Sequence, residues 1–199
     1  MPLAPRGHGG ALNGPAATPT VLTTPLLPAQ LARLRAGDEV LLSGTILTAR
    51  DAAHERLARM IAAGAPLPVD LAGETIYYCG PTPARPGRPI GSAGPTTASR
   101  MDPYTPALLE RGVRGMIGKG RRSAAVKEAM TRYGAVYFAA VEGTAALLGR
   151  CVRHAEVVAF PDLGAEAIYR LAVEQFPVVV ANDGRGGDVY DDGRARYRR

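Results

Sequence analysis

The amino-acid sequence predicts an α/β layered domain with much of its sheet parallel. Three observations carry this. Apolar runs of four or five residues alternate with helix-patterned segments through the second half of the chain. The 199 residues are 46% apolar, enough for a sizeable buried core. The 24 glycines and 17 prolines follow no fixed period, so they belong to turns rather than to a collagen-like or repeat architecture.

Taken in order, the first segment MPLAPRGHGGALNGPAATPT is rich in Pro, Gly and Ala without a signal-peptide core and predicts a flexible arm over residues 1–20. Leu22, Leu26, Leu27, Leu31 and Leu34 can bury a short helix or docked segment, and Gly37-Asp38 turns into a strand from Glu39 to Gly44. Thr48 followed by Asp51 resembles a capping box, so a helix is expected to start there, with Arg50 in its first turn, His54 one turn later on the same side, and Gly64 as its stop. A strand is expected from Thr75 to Cys79, and a long Gly/Pro-dense loop from Gly80 to Pro106. A loop of that length inside a domain points to function. Beyond it come a short buried run at Met116-Ile117, a helix from Ser123 to Arg132, a strand from Ala135 to Ala139, a helix from Thr144 to Cys151, a strand from Val157 to Phe160, a helix from Ala165 to Val173, and a strand from Val178 to Ala181.

Composition excludes several functions. The net charge is +6, but Arg185, Arg194, Arg196, Arg198 and Arg199 crowd the end of the chain, where residues 191–199 read as a solvated basic tail. Only 6% of residues are aromatic and Trp is absent, which argues against base stacking on nucleic acid as the main activity. Cys79 and Cys151 are too few for a disulfide framework and have no CxxC spacing, so a reducing cytoplasm is the expected compartment. No apolar run approaches the ~20 residues that span a bilayer. His8 and His154 lack ligand-spaced partners, so no metal site is expected within this chain.

Two loops carry candidate chemistry. Gly91-Ser92-Ala93-Gly94-Pro95-Thr96-Thr97-Ala98-Ser99-Arg100-Met101-Asp102 gathers hydroxyls, glycines and one guanidinium, a set that can offer N–H and O–H donors to an anion and a bidentate fork to a carboxylate. The competing reading is a polar surface loop capping a helix at Asp102. Gly115-Met116-Ile117-Gly118-Lys119-Gly120 places a lysine in a tight turn at a strand end, but Val113 and Gly120 stand where a phosphate loop needs Gly and Ser/Thr. A solvated turn is the alternative there. Arg50, Arg100 and Lys119 together suit a small di-anion such as a dicarboxylate.

The strings LSGTILTARDAAHERL, PVDLAGETIYYCGP, IGSAGPTTASRMDPYTPALLERG, MIGKGRRS, AVYFAAVEGTAALL and FPDLGAEAIYRLAVEQFPVVVANDGRG resemble, in order, the beta subunit of L(+)-tartrate dehydratase and the C-terminal domain of class I fumarate hydratases. The resemblance runs from about Leu22 to Val189, and a domain over residues 21–190 is expected. It implies a swivelling β/β/α domain of the iron-sulfur hydro-lyase beta family, which adds or removes water across a 2-hydroxy dicarboxylate, fumarate/malate or L-tartrate. It also implies a 4Fe-4S cluster held by three cysteines of a partner alpha subunit, and an assembly of two alpha and two beta subunits. Carried over, Thr96 matches the threonine taken as catalytic base, and Arg50, Arg100 and Lys119 match substrate-binding residues. Asp51, His54, Thr97 and Asp102 are supporting candidates. A non-catalytic scaffold or a basic nucleic-acid-binding protein is the alternative.

Overall fold

The strand β2 (Glu39–Thr48) organises the molecule, because it pairs with three other strands. The structure, a computed structural model, describes residues 18–141 and 143–197. β1 (Thr20–Thr23) runs parallel to the start of β2, and β3 (Thr75–Tyr77) runs parallel to its end. β4 (Gly115–Gly118) and β5 (Val136–Ala139) extend the parallel set. The long β7 (Ile168–Asn182) then runs antiparallel to both β5 and β2, so five strands close into a barrel-like ring, and β6 (Val152–Ala159) flanks β7 outside it. The result is a mixed α/β domain whose central strands are parallel, with β7 as the antiparallel closing strand.

Alternation along the strands builds two apolar clusters on opposite sheet faces. Tyr77, Ile117, Val136, Phe138, Leu42 and Phe176 belong to one. Ile76, Tyr78, Met116 and Tyr137 belong to the other, under α2 (Asp51–Ala62), α3 (Thr105–Glu110) and α4 (Ala124–Tyr133). The short α1 (Pro28–Leu31) and α5 (Ala145–Arg150) contribute Leu31 and Leu148 to the first cluster.

Three expectations are corrected and one is made more exact. Thr48 does not cap α2: it is the last residue of β2, paired in register with Tyr77, and its Oγ1 accepts from the Tyr169 amide at 3.1 Å. Strand pairing holds it extended, so the helix begins at Asp51 with Arg50 as its cap residue. The expected helix from Ala165 to Val173 is a 3-10 segment, Pro161–Glu166, followed by β7. Ile168, Leu171 and Phe176 imitate helical spacing, but Gln175 at φ 49° breaks the strand phase and the ladders to β2 and β6 decide the conformation. The basic tail expected over residues 191–199 is helical as far as it is described, α6 (Val189–Tyr197), with residues 191–195 mostly exposed and Asp191 paired with Arg121 and Lys127. The arm expected over residues 1–20 ends early, since Thr20 is already in β1, and its first seventeen residues lie outside the described residues.

Candidate functional site

The parallel strands β2, β3 and β4 end at the same edge, and the loops leaving them carry the candidate residues, as is usual for ligand sites in α/β sheets. Arg50 follows β2, Tyr78 to Gly80 follow β3, and Lys119 follows β4. The segment from Gly80 to the start of α3 folds back over this edge. Tyr78 O accepts from both Thr96 N (2.7 Å) and Thr96 Oγ1 (2.8 Å), while Lys119 N donates to Thr96 O (3.1 Å) and Ala98 N donates to Lys119 O (2.8 Å). Thr96 is thus held between the ends of β3 and β4. Gly118 makes that approach possible, because a Cβ there would lie 2.8 Å from the Tyr78 ring and 3.4 Å from Thr96 O.

One carboxylate joins the two arginines. Asp51 Oδ2 lies 3.2 Å from Arg50 Nε, and Asp51 Oδ1 lies 2.9 Å from Arg100 Nε. Glu166 adds a second contact to Arg50 Nε at 3.4 Å and accepts from Ala52 N at 2.8 Å, which satisfies one of the free amides at the start of α2. The Nε edges of both guanidiniums therefore face protein carboxylates. Among the described residues no hydrogen bond engages their terminal nitrogens. Lys119 is half-buried and Arg100 is exposed.

The supporting candidates divide. His54 is fully buried, with Nδ1 3.2 Å from Arg50 O and its ring edge-on to Tyr78. Burial lowers its pKa to about 4, because the cation would lose its water, and Arg122 adds to that effect. The ring is neutral at physiological pH. Thr97 is exposed and stands at the N-cap position of the 3-10 turn Ala98–Met101 without a side-chain capping bond among the described residues. Asp102 turns away toward Arg122 Nε (2.8 Å) and the Ser123 amide (2.7 Å).

Sequence reasoning missed Arg122 and Glu166. Arg122 is buried and saturated: besides Asp102 it donates to Tyr78 Oη (3.0 Å) and Thr105 Oγ1 (2.7 Å), and it lies over the Tyr78 and Tyr137 rings. Its position after Gly120 carried no signal, since only the fold brings Tyr78 and Asp102 to it. Glu166 lies 114 residues from Ala52 in sequence, so its place beside Arg50 is equally invisible in one dimension. Arg121, next to Arg122, donates to Asp191 and to Tyr190 O.

Residues 12–193 match the family model described as Fumarase C-terminus. The chain belongs to this fumarase C-terminal family. It is 41% identical over 164 residues to the anaerobic class I fumarate hydratase of Escherichia coli, covering 81% of the chain and 30% of that protein. It is 41% identical over 152 residues to the mitochondrial fumarate hydratase 1 of Leishmania major, covering 75% and 28%. A Methanocaldococcus jannaschii protein provisionally named an L(+)-tartrate dehydratase beta subunit is 36% identical over 166 residues, with 80% of this chain and 85% of that protein covered. The fumarase C-terminal chain thus spans about 30% of the length of the fumarate hydratases it matches.

An iron-sulfur cluster does not fit the residues of this fumarase C-terminal chain. There are two cysteines in all. Burial pushes the Cys79 thiol up to about 12, away from the thiolate a cluster needs, and Cys151 sits after α5 with its thiol also raised by burial. Among the described residues no group of three or more His, Cys, Asp or Glu side chains is placed to hold a metal ion. No helix among them is long and apolar enough to cross a membrane.

Proposed function

We propose that this chain is the beta part of a hydro-lyase that hydrates and dehydrates a 2-hydroxy dicarboxylate, fumarate/malate or L-tartrate. The observation that carries the reading is Asp51 between Arg50 and Arg100, which fixes both guanidiniums by their Nε edges. The terminal nitrogens are then the donors for substrate carboxylates. Lys119, whose backbone is paired to the Thr96 loop, supplies a third cation. Such an array binds two carboxylates and stabilises the charge that accumulates on one of them as the adjacent carbon loses its proton.

Thr96 Oγ1 is the atom that takes that proton. A threonine hydroxyl is a weak base at its ordinary acidity, so its own proton, donated to Tyr78 O at rest, has to leave to solvent water first, and the surrounding cations favour the alkoxide that then takes the carbon proton. The hydrogen bond to Tyr78 O fixes where Oγ1 sits. His54, neutral and buried, props the Arg50 carbonyl at the cap of α2 rather than exchanging protons. The 4Fe-4S cluster that the family resemblance implies belongs to an alpha partner, and no step here runs through it. Residues 21–190 act in this scheme as a swivelling β/β/α domain that closes over the substrate, in a cytoplasmic assembly of two alpha and two beta subunits.

The test is anaerobic reconstitution of the purified chain with a cluster-bearing alpha subunit, assayed on fumarate, malate and L-tartrate. The isolated chain is expected to be inactive and the complex active. Thr96→Ala is expected to lower kcat by about 100-fold or more without loss of assembly, and Asp51→Asn to raise KM by about tenfold as the arginines lose their anchor. Full turnover by the isolated chain, or a near-normal kcat for Thr96→Ala, refutes the scheme.

A further inference from the structure

The loop that leads to Thr96 also walls a second basic site. Between Thr82–Ser92 and α5 lies a cavity of about 250 Å³ lined by Arg85, Arg88 and Arg150, with the hydroxyls of Thr82 and Ser92 between them and, among the described residues, no acidic side chain on its wall. Arg100, Arg121 and Arg153 are also solvent-exposed, yet each pairs with a carboxylate. The guanidiniums of Arg85, Arg88 and Arg150 make no ion pair or hydrogen bond among the described residues. Three like charges around one concavity repel each other until an anion enters.

The floor of this cavity is firmly built. Thr82 Oγ1 and Ser92 Oγ are 3.1 Å apart, Ser92 N donates to Thr82 Oγ1 (2.7 Å), and Thr82 N donates to Ser92 O (3.0 Å). Gly149 of α5 lies so close to the loop that a Cβ would come within 2.5 Å of Gly91 O. Ala93 N donates to Ala145 O at 3.0 Å, which ties the same loop to the start of α5. The Arg85-Pro-Gly-Arg88 stretch turns back on itself through Arg88 N to Arg85 O (2.9 Å), bringing both arginines to the same rim.

We infer that Arg85, Arg88 and Arg150 form a second anion site, distinct from the Arg50–Arg100 site, for a compact polyanion of the diphosphate class. Three guanidiniums supply forked donors that match phosphate oxygens in geometry and diphosphate in charge, and the hydroxyl pair, one of whose protons is used in the Thr82–Ser92 hydrogen bond, leaves one O–H donor between them. A single carboxylate leaves most of the cavity unfilled and two of the three cations unpaired. The diphosphate can come free or on a nucleoside, and both present the same oxygens to the rim. The site does not rest on the hydro-lyase scheme, since it is read by binding alone.

Titration calorimetry of the full chain at about 150 mM salt, with inorganic pyrophosphate, ADP and succinate as probes, tests it. Pyrophosphate is expected to bind one-to-one, and Arg85→Ala/Arg88→Ala and Arg150→Ala are each expected to weaken it by about tenfold or more, while Arg100→Ala leaves it unchanged. Equal thermal melting of the variants shows that they fold. Tighter binding of pyrophosphate than of ADP identifies the free anion as the source, and the reverse order identifies the nucleoside-borne one. Absence of saturable binding at millimolar pyrophosphate, equal affinity in every variant, loss on Arg100→Ala, or succinate binding as tight as that of pyrophosphate and lost with it in Arg85→Ala/Arg88→Ala and Arg150→Ala each overturns the assignment.

Discussion

His54 shows how burial decides the chemistry of a single side chain. Its ring is fully buried between Tyr78, Tyr104 and the Arg50 carbonyl, and Nε2 has no hydrogen-bond partner among the described residues. With a folded pKa of about 4 against 6.5 for the free side chain, the unfolded chain binds the proton that the folded chain refuses. The sign follows: this contribution is fully present above pH 6.5 and is lost as pH falls toward 4, about 3 kcal/mol in all. Urea unfolding midpoints should fall between pH 7 and 4.5, and His54→Phe, which keeps the ring contacts, should flatten that fall. Equal slopes for the two proteins would place the acid sensitivity elsewhere. At this scale the sequence singled out Arg100 in a stretch dense in hydroxyls and glycine, Lys119 between two glycines and Arg50 at the start of a helix. It did not show how they are held: Asp51 was a supporting candidate that by itself reads as an ordinary first-turn acid, and Glu166 arrives from the far side of the fold.

At the scale of elements, the start of α4 is a junction. Ser123 caps the helix and Asp102 accepts both its amide and the Arg122 Nε proton. Arg122 reaches on to Tyr78, whose carbonyl holds Thr96. Burial works against the charge of Arg122, but Tyr78 and Asp102 outweigh it and leave the guanidinium firmly protonated. Arg122→Met leaves Asp102 without its counter-ion and removes donors from Tyr78 and Thr105, so a loss of about 3–5 kcal/mol is expected. Differential scanning calorimetry should show the melting temperature falling by roughly 10 °C, and a change within two degrees would mean that the network adds little. The helices α4 and α5 were legible from caps and spacing within their own sequence. The start of α2 and the nature of residues 168–173 were not, because there strand ladders to distant segments override local propensity.

For the whole molecule, β7 is the closing element. It pairs with β2 along most of its length, with β5 near its end and with β6 at its start, so neither sheet face is complete without it. The parallel strands could be read from short apolar runs between helices, but closure could not, since nothing local distinguishes a strand that ends a sheet from one that joins its two sides. The consequence is cooperativity. Phe176 on β7 is fully buried, edge-on to Tyr77 at 5.3 Å, in the cluster on one sheet face. Ala181 on the same strand lies in the cluster on the other face. A cavity at Phe176 therefore weakens the strand that both clusters share, and the two should fail together. Phe176→Ala is expected to cost about 3–5 kcal/mol and to move a single transition, with far-UV circular dichroism and tyrosine fluorescence superimposing through thermal unfolding. Tyr77 reports one cluster, and Tyr78 and Tyr137 the other. Two separated transitions in the variant would show that the faces unfold independently and that β7 does not couple them.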